Sequence, residues 1–372
     1  MRDYKYANNF IEANRSLSHS LVDWFFGHAR VLPWRNSPTP YHVWVSEIML
    51  QQTRVEAVKR YYERFMDALP DVADLAACPE DLYHKLWEGL GYYSRVRNLN
   101  AAAKQVMDQY AGQLPADYES LLSLKGIGSY TAGAIASTAF GQPYPAVDGN
   151  ALRVLTRLMG LEWDIADQKT KTAIESLVKI WLLDFAEGKV FSLEDRKAPG
   201  PGVLNQALME LGATVCLPNK SPNCGECPWK ESCVAHKENT WDHIPVRKKA
   251  KERRVEKKTV FLLRNQDGVY FHKRGPKGLL AGLYELPNVE GWLSQKEALS
   301  FLENMGYLPI RIKKLEPAKH IFSHIEWHMH GYEVILENPV EKETGDWFFV
   351  DVETARKEYA IPSAFKAYRE LL

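Results

Sequence analysis

Four of the chain's five cysteines fall within eighteen residues: Cys216, then seven residues to Cys224, two to Cys227 and five to Cys233. Four thiolates spaced like this enclose one metal centre, either tetrahedral zinc or an iron–sulfur cube. Spacing alone does not choose between them. Cys216 ends a long helical pattern and the other three occupy a tight loop, so the centre staples the end of whatever precedes it. Disulfides are the wrong reading for this setting. The start, MRDYKYANNFIEANR, lacks the apolar core of a secretory signal. No stretch approaches the roughly 18 apolar residues of a membrane helix. A cytoplasmic, reducing compartment is expected, with no membrane partner.

The preceding residues read as helix after helix. SLVDWFFGHA, YHVWVSEIMLQQT, EDLYHKLWEGL, SRVRNLNAAAKQVMDQY and VLNQALMELGATV carry apolar residues near a 3.6 period, with Pro-containing breaks between several of them. This predicts an all-α region. The texture changes after VRKKAKERRVEKK, a basic run that reads as a solvated linker. TVFLLRN and VYFHKR flank a Gln-Asp-Gly turn as a hairpin. IRIKKLE, HIEWHMHGYEVIL and DWFFV are strand-like, and QKEALSFLENMG is a helix between strands. At 372 residues the chain exceeds one ordinary core. The expected division is residues 1–240 (helical), 241–256 (basic linker) and 257–372 (α+β). With 47 basic and 47 acidic side chains, total charge says nothing about a polyanionic partner.

Within the helical region, LKGIGSYTAGAI fits a helix, a Gly-x-Gly turn at Gly126 and Gly128, and a second helix from about Ser129. Glycines let a backbone approach a phosphate, the new helix's amides favour negative charge, and Lys125 adds a cation. Plain helix connectors look similar, so the turn gains meaning only from its neighbours. Twenty residues past Gly128, Asp148 directly precedes the helical GNALRVLTRLMG and is a natural N-cap. A capping carboxylate is aimed and ionised, which suits stabilising a developing positive charge. Glu47 sits at the edge of the apolar stripe of VWVSEIMLQQT, where burial raises a carboxyl pKa toward general-acid use.

Together these pieces resemble the helix–hairpin–helix DNA glycosylase superfamily. LPWR (Leu32–Arg35), WVSEIMLQQTRVE, WEGLGYYSRVRNL, VDGN, NQALMELGATVC and the carboxy-terminal LLAGLYELP and HIFSHIEWH narrow the resemblance to the A/G-specific adenine DNA glycosylases, the MutY family. The resemblance spans nearly the whole chain. It implies a mainly α helix–hairpin–helix half bearing a 4Fe-4S cluster on Cys216, Cys224, Cys227 and Cys233, and a Nudix-like α+β domain that reads 8-oxoguanine. One departure stands: the family usually has six residues between its first two cysteines, and this chain has seven, LPNKSPN. One added loop residue costs only tenths of a kcal/mol in closure entropy.

The resemblance further implies an enzyme that hydrolyses an N-glycosyl bond in double-stranded DNA, removing adenine mispaired with 8-oxoguanine or guanine. It acts as a monomer beside the chromosomal DNA. Glu47 protonates adenine N7 and Asp148 stabilises or captures the sugar cation, with Tyr130 and Asn150 around them. Trp34, Arg35 and Gln206 match the base pocket, Gln52 and Tyr92 the residues that enter the stack, and Phe322, Ser323 and His324 the 8-oxoguanine loop. Related bifunctional enzymes carry a Schiff-base Lys just before the Thr of the second hairpin helix. Here Tyr130 precedes Thr131, so strand cleavage is not expected. Nucleotide pyrophosphate hydrolysis is a rival reading, but KEALSFLENMG has Ser300 and Phe301 where a metal-binding Nudix helix needs acids. A non-catalytic lesion binder is a second rival, and the joint presence of Glu47, Asp148, Tyr130 and Asn150 argues against it.

Overall fold

The computed structural model describes residues 2–186, 190–193, 196–247, 252–337 and 347–372. These form two compact units: Met1–Ala77 with Asn98–Lys249, and Cys78–Arg97 with Ala250–Leu372.

The first unit is helical because its apolar residues recur on one face of each segment. Ser16–His28, Gly149–Met159, Gln168–Asp184 and Gly200–Thr214 bury Leu21, Phe25, Leu155, Trp181 and Leu208 in one cluster, closed by Trp229 from the cysteine loop. Pro40 opens the helix Pro40–Leu50 behind Thr39, whose hydroxyl accepts from His42 N. The all-α expectation needs one correction. Val190–Leu193 and Arg196–Pro199 pair as a small antiparallel ribbon. Neither VFSL nor RKAP alternates apolar with polar residues, so no period-two pattern marks them.

In the second unit, eight strands among the described residues share one sheet. Its central order is Trp347–Val350, Val269–Lys273, Arg254–Arg264, Ile325–Leu336, Pro309–Lys314. Alternation along Arg254–Arg264 sends Val260 and Leu262 to one apolar cluster and Phe261 and Leu263 to another. The expected hairpin turn is present. Asn265 Oδ1 accepts from Asp267 N and Gly268 N, and Asn265 N donates to Gly268 O. The first strand starts at Arg254, inside the expected linker. Residues 248–251 of that linker lie outside the described residues. Gln295–Asn304 is a helix with a capping box between Ser294 and Glu297, which commits one of its few acids to structure. Among the described residues no helix is long and apolar enough to cross a membrane.

Candidate active site

The first unit holds a cleft of about 670 Å³, within the range of small-ligand pockets. Glu47, Tyr130, Asp148, Trp34, Arg35 and Gln206 all line it, as do Asn150 and Gln52. Glu47 comes from the helix Pro40–Leu50, on a turn whose neighbours Ser46, Ile48 and Met49 are buried. Tyr130, on the first turn of Ser129–Phe140, donates its hydroxyl to Glu47 Oε2 at 2.6 Å. Burial pushes the Glu47 carboxyl up to about 7 against that hydrogen bond; the Asp148 charge adds to the rise and Arg35 opposes it. Burial and the Glu47 charge hold the Tyr130 phenol well above its ordinary range, so Tyr130 stays a neutral donor.

Asp148 is the N-cap of Gly149–Met159. Its Oδ1 accepts from Asn150 N (2.9 Å) and Ala151 N (2.8 Å), and its Oδ2 accepts from Asn150 Nδ2 (2.6 Å). Burial raises its pKa above the ordinary value, while the Ala151 and Asn150 donors hold the rise back. Its environment is thus less simply ionising than the capping pattern suggests. No heavy atom lies within 4 Å of where a Cβ on Gly149 would stand, so there is clearance beside the carboxylate.

Behind Asn150 stands Arg153, a buried cation the sequence reading did not single out. Its Nη2 donates to Asn150 Oδ1 (2.8 Å) and Gly212 O (2.7 Å), and its Nε to Cys216 O (2.9 Å). Gly212 makes this approach possible, since a Cβ there would lie 2.5 Å from Asn150 Cβ. Glu210 was missed as well. It is fully buried and pairs with Arg30 Nε (2.6 Å) and Arg35 Nη2 (2.9 Å). Burial pushes its carboxyl up, but the Arg30 bonds and the Arg35 charge outweigh that and leave it below the ordinary range. Arg35 Nε also donates to Gln206 Oε1 at 3.1 Å. Gln206 therefore has its amide N–H groups left to offer a ligand.

Other candidates are not among the residues lining this cleft. The helix Tyr118–Ser123 ends at Leu124, Gly126 turns the chain at φ +78°, and Gly128 is the N-cap of Ser129–Phe140. A Cβ on Gly126 would sit 2.7 Å from Asn98 Cβ, whereas one on Gly128 would meet nothing within 4 Å. Lys125 is exposed, and its N–H donates to Gln105 Oε1. Cys216, Cys224, Cys227 and Cys233 line one small cavity of about 30 Å³. Arg157 Nη1 lies 3.4 Å from Cys216 Sγ. Burial, with the other thiols, pushes Cys227 up to about 12 and Cys233 up to about 11. Tyr92, Phe322, Ser323 and His324 belong to the second unit. Tyr92 and Gln52 both hold left-handed backbone, at φ +48° and +57°. Such strain in non-glycine residues concentrates at functional sites.

Residues 45–180 match the HhH-GPD superfamily of base excision DNA repair proteins, and residues 259–371 match the NUDIX domain. Fold and cleft thus define a helix–hairpin–helix base-excision DNA glycosylase, a hydrolase of N-glycosyl bonds, joined to a Nudix-like domain. The chain is 31% identical to the adenine DNA glycosylase of Buchnera aphidicola subsp. Schizaphis graminum, covering 89% of this chain and 92% of that one. It is 33% identical to the human adenine DNA glycosylase, covering 94% of this chain and 73% of that one. It belongs to the adenine DNA glycosylase family. A solved thermostable thymine-DNA glycosylase superposes with a TM-score of 0.51 at 25% identity, covering 62% of this chain and 98% of that one.

Proposed function

We propose that this protein removes adenine mispaired with 8-oxoguanine or guanine, as a monomeric, monofunctional enzyme of chromosomal DNA in the cytoplasm. The observation that carries the reading is the pair of carboxylates in one cleft with different donors around them. Glu47 has one neutral donor, Tyr130, and titrates near 7, so it holds a proton for a base. Asp148 takes two main-chain N–H groups and an amide, which favour its charged form.

A duplex base is out of reach until it is flipped from the stack. Arg35, tied to both Gln206 and Glu210, and Gln206 itself offer polar groups beside Trp34 to hold the flipped base. Glu47 gives its proton to adenine N7, the C1′–N9 bond breaks with its electrons going to the base, and neutral adenine leaves. Positive charge on the sugar is met by Asp148. Water adds at C1′ and its proton returns to a carboxylate, leaving an abasic site. No lysine occurs among the described residues lining the cleft, which supports hydrolysis without a Schiff base.

Cys216, Cys224, Cys227 and Cys233 fit a 4Fe-4S cluster: four soft ligands border one cavity. Among the described residues no three His, Cys, Asp or Glu side chains are gathered closely enough for one metal ion. When bound, the cluster supplies structural cross-linking. The direct donors to the two carboxylates are the chain's own: Asn150 Nδ2, the Tyr130 hydroxyl and the main-chain N–H groups of Asn150 and Ala151. The bare N-terminus behind Gly128, with Lys125 beside it, suits a DNA phosphate.

Single-turnover excision tests the whole reading, on duplexes with adenine opposite 8-oxoguanine, guanine and thymine. Adenine release opposite the first two, with strand breaks only after alkali, is expected. Equal release opposite thymine, or borohydride trapping of a covalent protein–DNA adduct, would refute it.

A further inference from the structure

The helix Gly200–Thr214 turns two faces to different surroundings. Leu204, Leu208 and Leu211 enter the apolar cluster, while Gln206, Met209, Glu210 and Ala213 line the cleft at the three- and four-residue spacing of one helical face. Gln206 and Glu210 are both tied to Arg35. Met209, on the same face, meets Tyr130 instead. Its Sδ lies 3.1 Å from the hydroxyl oxygen that also stands 2.6 Å from Glu47 Oε2.

A phenol carries one hydrogen, so Tyr130 serves only one of these two acceptors at a time. The charge on Glu47 decides which. An ionised carboxylate is much the stronger acceptor and takes the hydrogen. When Glu47 is protonated on Oε2, that oxygen donates to Tyr130 Oη, and the phenol hydrogen turns away. Met209 Sδ, a weak acceptor, stands within its reach. Neither arrangement then leaves a buried polar hydrogen unpaired. Because burial brings the Glu47 carboxyl up to about 7, both arrangements are populated near neutral pH. The charges facing Glu47 are Asp148, the N-cap of Gly149–Met159, and Arg35, from Pro33–Asn36. Glu210, on Met209's own helix, is paired with Arg30 and Arg35.

We propose that Met209 is a positioning residue for the acid: its sulfur holds the Tyr130 hydrogen while Glu47 carries its proton, and the hydroxyl turns to the carboxylate as that proton leaves. This deepens the proposed function and rests on Glu47 being the general acid. The sulfur favours the protonated acid in the waiting enzyme without bringing a further charge into the cleft. A leucine fills nearly the same space and offers the phenol nothing.

The test follows single-turnover excision of adenine opposite 8-oxoguanine between about pH 6 and pH 9. Enzyme is kept below saturation at fixed salt, so that the falling limb reports Glu47 in the free protein. Four full-length chains are compared: wild type, Met209→Leu, Tyr130→Phe and the pair. Met209→Leu is expected to move the limb down by up to about one pH unit, the worth of one hydrogen bond. In the Tyr130→Phe chain the same change is expected to move nothing, because no hydroxyl remains to be shared. A limb left in place or raised by Met209→Leu overturns the proposal. So does an equal downward move in both backgrounds, which makes Met209 a packing residue alone. A wild-type rate with no falling limb removes Glu47 as the acid, and the role of Met209 falls with it.

Discussion

Replacing Glu47 by Gln should abolish excision and stabilise the protein in the same stroke. An amide cannot deliver a proton to N7, so turnover stops. The stability change follows from the carboxyl's shift from 4.5 to about 7 in the folded state. Between those values the folded chain keeps a proton that the unfolded chain releases, so stability falls as pH rises through that window. It is fully present below 4.5 and fully lost above 7. At 1.36 kcal/mol per pKa unit, the ionised wild type at pH 8 carries a penalty of about 3 kcal/mol that Gln does not. The variant should therefore melt roughly 6–12 °C higher than wild type at pH 8, with little difference at pH 4.5.

Activity supplies the second arm. Single-turnover excision on an adenine:8-oxoguanine duplex should fall about tenfold per unit above pH 7, as the protonated fraction of Glu47 does. Tyr130→Phe removes a hydrogen bond that favours the ionised form, so the falling limb should move upward, by about 1–2 units for a bond to a charged group. Wild-type turnover by Glu47→Gln, or a flat rate from pH 7 to 9, would refute the assignment. A downward move in Tyr130→Phe would refute the account of the pair.

Asp148→Asn keeps a good N-cap and should bind the mispair like wild type, yet excise at least about 100-fold more slowly; a gel-shift titration beside single-turnover kinetics checks this. Gly126→Ala places a Cβ against Asn98 at positive φ and should lower the melting temperature. Gly128→Ala meets no atom and should melt like wild type but bind duplex DNA more weakly. Cys227→Ser should lose the brown colour and about four irons per chain in metal analysis, and should unfold more readily; a colourless wild type holding one zinc would overturn the cluster.

The helices were legible because each has an apolar face and a turn or proline at its ends, and SRVRNLNAAAKQVMDQY coincides with the helix Ser94–Tyr110. Asp148 was legible twice over, as a cap and as an isolated acid before a helix. Arg153 and Glu210 were not. On a helix pattern each reads as one more solvated charge, and their partners lie far along the chain: Glu210 meets Arg30 at a separation of 180 residues, Arg153 meets Cys216 at 63. Register between distant strands is equally silent. Arg254–Arg264 runs parallel to Ile325–Leu336 over eleven residue pairs, a pairing no local pattern encodes. Nor does local pattern show that EDLYHKLWEGL, an amphipathic helix like its neighbours, groups with residues far downstream.

The missed charges explain how the legible ones are held. Asp148 is aimed by Asn150, Asn150 by Arg153, and Arg153 by the carbonyls of Gly212 and Cys216. The chain of donors therefore ends where the cysteine loop begins. A group that fixes Cys216 also fixes the carbonyl on which Arg153 rests, and with it the orientation of the amide that holds Asp148. Under the proposed function, a cluster on the four cysteines would thus help to position Asp148 without any electron transfer. Positioning of a carboxylate is worth most when it costs no reorganisation at the moment charge develops. A long-range anchor serves that end better than a helix cap alone, because a helix terminus frays and a cross-linked loop does not.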